Sequence, residues 1–164
     1  MNDDIVTLLF DAVQRVEKSL AARDAPALVA VQGQRTLFLS DYDYLQSVAT
    51  AQAFERRAAE QALRVTAVRW IFAVPQVWKI GDRDVAVRAA HGGPLEPGEE
   101  EAITWMAYDE EDGVDYGRVP FARRLNGEPV FDEPQVFTVP LTPGDLMPGT
   151  TMLRYFLSDR PGLL

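Results

Sequence analysis

The chain has no cysteine and a single histidine, His91, among its 164 residues. The missing thiols exclude disulfides, cysteine-ligated zinc, iron–sulfur clusters and cysteine nucleophiles. One imidazole also rules out a histidine-rich metal centre. No apolar run approaches the ~20 residues needed to cross a bilayer. The first ten residues carry Asp3 and Asp4 where an export signal would carry basic side chains, so a cytoplasmic location is expected and no membrane contact. Neither Gly-x-x-x-x-Gly-Lys-Ser/Thr nor Gly-x-Gly-x-x-Gly occurs, which removes the two common glycine-rich phosphate loops. His91-Gly92-Gly93-Pro94 has the glycine content of an esterase oxyanion loop, but no Gly-x-Ser-x-Gly elbow accompanies it and His91 reads as a turn residue. No cofactor is implied.

Positive charge is also in short supply. Sixteen lysines and arginines face twenty-five acids, for a net charge of -9, which disfavours nucleic acid and anionic lipid as partners. The surplus is local. Between Gly92 and Asp115 stand nine acids and no base: Glu96, Glu99, Glu100, Glu101, Asp109, Glu110, Glu111, Asp112 and Asp115. Elsewhere the two signs balance.

What is present is an ordinary globular composition, 47% hydrophobic and 25% charged, at a length that fits one domain over residues 1–164 with a loose tail from 159. Ile5, Leu8, Leu9, Ala12, Val16 and Leu20 recur at helical spacing after a cap at Asn2 or Asp3. Ala27–Gln32 and Thr36–Ser40 flank Gly33-Gln34 and predict a hairpin in which the glycine takes a positive φ. A second helix is expected over about 44–63, capped by Ser40, Asp41 or Asp43, with Tyr44 or Leu45, Val48, Ala51, Phe54, Ala58 and Ala62 on its buried stripe. Glu55 and Glu60 fall with the arginines on a solvated face.

From Val65 the pattern becomes that of strands. Val65–Val74 is bulky on both faces and predicts a central strand interrupted at Pro75. Gln76–Ile80 and Asp84–Ala90 suggest a hairpin across Gly81-Asp82, and Glu101–Tyr108 with Val114–Arg124 another, turned at Asp112-Gly113 as a type I′ turn. Pro120 places the last strand at an edge or bulge. Nine of the eleven prolines follow residue 90. Val136–Leu141 is strand-like, and 150–157 suits a strand or a short helix. This order predicts an α+β fold, with two helices on one face of a mostly antiparallel, curved sheet. In element order alone it is compatible with nuclear-transport-factor-2-like domains, and its first part with profilin-like or roadblock-like domains.

Three functional readings follow. The leading one is a non-catalytic binding or regulatory domain that presents Asp109, Glu110, Glu111, Asp112 and Asp115 at a hairpin tip to a basic protein surface. The acids at 99–101 stand about 24 Å from that tip along the strand, too far to share an ion, and Arg123 and Arg124 fold back beside them as cross-strand partners. The second reading is a small-molecule binder or enzyme with an aromatic-lined pocket drawn from Trp70, Trp78, Trp105, Tyr116 and Arg118. Alternation puts Tyr116 and Arg118 on one strand face and Asp115 on the other. The third is a structural subunit that self-associates through a strand edge or helical face.

Overall fold

In the computed structural model, residues 1–80, 85–89, 94–137 and 147–159 are described, those at 80 and 85–89 by backbone alone. Helix α1 (Asp3–Ala21) starts where the Asn2 side chain accepts from the Ile5 amide at 3.0 Å, and it buries the stripe that its apolar spacing predicts. Strands β1 (Ala27–Gln32) and β2 (Thr36–Asp41) form the first hairpin. Gly33 does not adopt a positive φ there. It is needed for a close approach, because a Cβ would stand 2.3 Å from the Val65 carbonyl oxygen.

Helix α2 (Val48–Arg64) begins later than its apolar spacing suggests, since Ser47 and Thr50 form a reciprocal capping box that outcompetes the upstream candidates. Val48 is consequently exposed and Tyr44 is buried in the preceding loop. Strand β3 (Arg69–Ile80) follows, then β4 (Val85–Ala89), β5 (Glu99–Asp109), β6 (Gly113–Arg123), β7 (Pro129–Phe131) and β8 (Gln135–Val136). The last described element is α3 (Thr150–Ser158), so the segment that suited either strand or helix is a helix. The residues of the Gly81-Asp82 turn, His91, most of Val136–Leu141 and the tail after 159 lie outside the described residues.

All pairings are antiparallel and run β2-β1-β3-β5-β6-β7 in an open sheet, with β4 beside β3 and β8 beside β6. Pro75 does not interrupt β3. It stands after the last residue of β3 paired with β1, Ala73, and before the first paired with β4, Gln76, while β5 pairs straight past it. No ladder donor is required in that gap. Pro120 follows the same rule on β6, between the residues paired with β8 (117–118) and with β7 (121–123). Its carbonyl accepts from Asp132 on that side, the side an N–H would also face.

The helices do not share a face, because β1, β3 and β5 carry bulky residues on both. Alternate residues Val29, Val31, Trp70, Phe72, Met106 and Tyr108 pack with Phe54, Ala58, Met152 and Phe156 beneath α2 and α3. The others, Leu28, Ala30, Ile71, Ala73, Ile103 and Trp105, pack with Ile5, Leu9, Val13 and Val16 beneath α1. On the α1 face the Trp105 indole lies across Gly117, where an added Cβ would fall 2.1 Å from the ring and 1.9 Å from the Gln135 carbonyl oxygen. Gly117→Ala should therefore cost about 1–3 kcal/mol of overpacking, read as a lower denaturant midpoint with an unchanged slope.

Candidate interaction surface

The β5–β6 hairpin folds through three residues rather than two. Asp109 and Gly113 are cross-strand partners, Glu110, Glu111 and Asp112 lie between them, and Gly113 holds φ +82°. The left-handed glycine closes the loop from the strand side, and because Asp112 has no positive φ this is not the type I′ turn expected of Asp112-Gly113, which needs positive φ at both central residues. The Asp109 side chain builds the loop from inside: its Oδ1 accepts from the amides of Glu111 and Asp112 at 2.9 and 3.2 Å.

Asp109 is therefore not part of the exposed tip. It is 2% exposed, and its Oδ2 receives Arg69 Nε at 2.9 Å from the neighbouring strand β3. The same guanidinium donates to Gln32 Oε1 at 2.6 Å and lies 3.6 Å from Asp4 on α1. Burial alone would raise the Asp109 pKa, but Arg69 and the surrounding donors outweigh it and hold the carboxyl below its ordinary 3.8. Sequence proximity could not reveal this base, which sits forty positions away and meets Asp109 only through the β3–β5 register.

The start of α1 is clipped to the same place, where the Asn2 amide donates to Asp112 Oδ2 at 2.7 Å. That bond and the Arg69 pair with Asp4 bring the acidic first turn of α1, Asp3 and Asp4, beside the hairpin tip. Asp3, Glu110, Glu111 and Asp112 are exposed and Asp115 is half-buried. Among the described residues none of these five takes part in an ion pair. The acidic end thus loses Asp109 and gains Asp3, a residue that sequence separation concealed.

The five candidate pocket residues do not converge. Trp70 stacks on Tyr108 beneath α3, at 5.7 Å between centroids, and Trp105 lies on the opposite sheet face. Trp78 and Arg118 do meet, on the α2–α3 side and farther along β3 and β6. The guanidinium sits 5.3 Å from the Trp78 ring, paired with Glu100, and Phe137 covers the indole at 5.3 Å. Tyr116 shares that face and packs against the α2–α3 core, while Asp115 faces the other way, as alternation requires. Trp78 Nε1 donates to Thr104 Oγ1, which donates to Gln76 Oε1. All three tryptophans are at most 1% exposed, so they are core side chains. Arg123 pairs with Glu101 at 2.8 Å, the cross-strand contact expected of that hairpin.

A hollow of about 380 Å³ does exist elsewhere, between α1 and β2. Asp11, Arg15, Lys18 and Ser40 are among its lining residues, with Phe38 as its one aromatic. Arg15 lies 3.6 Å above the Phe38 ring and 3.4 Å from Asp11, so its charge is already engaged. Among the described residues no group of three or more acids or imidazoles is placed to hold a metal ion, and no helix is long and apolar enough to cross a membrane.

Glu55 is the other unforeseen carboxylate. It is 4% exposed rather than on the wet face of α2. It accepts from Tyr44 Oη at 2.7 Å and from the Met152 amide at 3.1 Å, at the first turn of α3. Gly149, the N-cap of α3, has no side chain to offer, so a residue of α2 caps it instead. Burial pushes Glu55 above its ordinary 4.5, opposed by these hydrogen bonds, and pushes the Tyr44 hydroxyl up as well. Both oxygens are occupied by structural donors, which is the work of a brace rather than of a proton-transfer group.

Comparison with known proteins brings no relative to this geometry: no protein-family model matches the chain, and neither a curated protein nor a solved structure does.

Each of the two carboxylates carries its own expected outcomes. Asp109→Ala should lose about 1–3 kcal/mol, because Arg69 Nε and the amides of Glu111 and Asp112 lose their acceptor while Arg69 keeps Gln32 and Asp4. The gap between wild type and Asp109→Asn should be full at neutral pH and shrink as pH falls below 3.8 through the depressed native value, because the carboxylate's advantage vanishes once it protonates. Glu55 has the opposite sign. Its raised native pKa makes the fold lose stability as pH climbs from 4.5 through the native value, so wild type should weaken relative to Glu55→Gln over that rise. Glu55→Ala should cost about 2 kcal/mol or more. Denaturant titrations at stepped pH check both.

Proposed function

We propose that this chain is a non-catalytic binding or regulatory domain whose acidic end docks on a basic surface of a protein partner. The observation that carries the reading is the collection of Asp3, Glu110, Glu111 and Asp112 at one end of the molecule, exposed and outside every ion pair of the described residues. Uncompensated carboxylates on a rigid scaffold attract a cationic surface over about one Debye length, near 8 Å at physiological salt, and orient it before contact. Rigidity is provided from below by Asp109 and Arg69, which fix the loop without contributing to its outward charge. An inhibitor-like domain that covers a cationic site by charge complementarity fits the same surface.

The competing pocket reading has less support, since its tryptophans are buried in the core on both sheet faces. The test uses a partner isolated from the native host and identified by mass spectrometry. The fourfold variant Asp3→Asn, Glu110→Gln, Glu111→Gln, Asp112→Asn leaves Asp109 intact. It should weaken association about tenfold, chiefly through a slower on-rate, and flatten the salt dependence. Unchanged affinity and salt slope would reject the proposal.

A further inference from the structure

The sheet edges at β6 and at β2 are built differently. The β6 edge is shielded by β7 and β8, three and two residues long and bounded by Pro129 and Pro134, a common way of blunting an edge. The β2 edge has no such device. β2 pairs with β1 alone, and alternate residues of an antiparallel strand send their N–H and C=O groups to the side away from the partner. Its sequence, Thr36-Leu37-Phe38-Leu39-Ser40-Asp41, has no proline, no lysine and no charge before its last residue. Leu37, Phe38 and Leu39 are only half-buried. Tyr42 and Val48, 61% and 60% exposed, follow in the segment leading off the strand.

We propose that β2 pairs with β2 of a second copy of this chain about a two-fold axis, joining two sheets into one continuous antiparallel sheet. The register selects this occupant. Opposed residues must point to the same face, so the axis passes through a residue rather than between two. Centred on Phe38, it sets Leu37 against Leu39 of the second copy and Thr36 against Ser40. It also sets Arg35 against Asp41, twice by symmetry. Arg35 is exposed and makes no ion pair among the described residues. Asp41 already holds Arg57 at 2.8 Å and the Asp43 amide at 2.7 Å, so Arg35 of the second copy would add a second guanidinium to a carboxylate that is fixed in place. Centring on Leu37 or Leu39 loses this charge match and shortens the paired ladder. A stable dimer buries about 1,200–2,000 Å² in all, and Tyr42 and Val48 are the apolar side chains that would extend the strand contact.

The proposal is independent of the acidic end, which lies across the sheet at β5–β6. Sedimentation or light scattering should give twice 18.3 kDa at micromolar concentration, and a monomer at every concentration would overturn the proposal. Thr36→Lys with Ser40→Lys sets lysine against lysine at two exposed positions and should return the protein to monomer; a persisting dimer would place the interface elsewhere. Because the chain is free of cysteine, register can be read by oxidation. A mixture of Thr36→Cys and Ser40→Cys proteins should cross-link, whereas each alone should not. Phe38→Cys, on the axis, should cross-link by itself. Cross-links that ignore this pattern would overturn the register. A monomer that instead takes up an extended peptide along β2 would overturn self-pairing.

Discussion

Burial of β3 and β5 on both faces is the constraint from which the rest follows. A strand with Trp70, Phe72 and Val74 on one side and Ile71 and Ala73 on the other cannot leave either side to water, since each large side chain returned to solvent costs about 1.5–3 kcal/mol. One helix layer is therefore not enough. α1 closes one face, α2 and α3 the other, and the sheet becomes the middle layer of three. Several polar groups that enter this interior are held in hydrogen-bonded sets, although the indole N–H groups of Trp70 and Trp105 are buried without a hydrogen-bond partner among the described residues. Trp78, Thr104 and Gln76 form one such set, Tyr44 and Glu55 with the start of α3 another, and Asp109 with Arg69 and the hairpin amides a third.

Much of this was legible in the sequence. The periodicity of α1, the first hairpin, the both-face character of β3 and the antiparallel α+β class all follow from apolar spacing and turn residues, which act over a few positions. The departures have long-range causes. Pro75 reads as an interruption because single-chain patterning has no knowledge of neighbours; it is tolerated because β1 stops and β4 starts around it. Glu55 reads as wet because its partners are eleven and ninety-seven positions away. Gly33 reads as a turn glycine, yet it is small because the chain returns past it at Val65.

The candidate surface divides along the same line. That acids cluster between Glu96 and Asp115 is plain from composition. Which of them face outward is not, because Asp109 is taken up by an arginine that only the strand register brings to it, and Asp3 is added by a helix start that only the tertiary fold delivers. The same separation explains the tryptophans. Residue type marked them as large and amphipathic, but only parity along β3 and β5 tells that Trp70 and Trp105 look in opposite directions.

The way α3 begins has a bearing on what holds it in place. Nine residues make a helix that is marginal in isolation, and its opening amides find their acceptor on a helix completed almost a hundred residues earlier. α3 thus depends on the sheet and α2 for its stability and closes over them like a latch. Without it, Trp70 and Tyr108, which the Phe156 ring contacts at 6.3 and 5.1 Å, lack that aromatic cover. Docking of α3 thus completes the shielding of the stacked Trp70–Tyr108 pair.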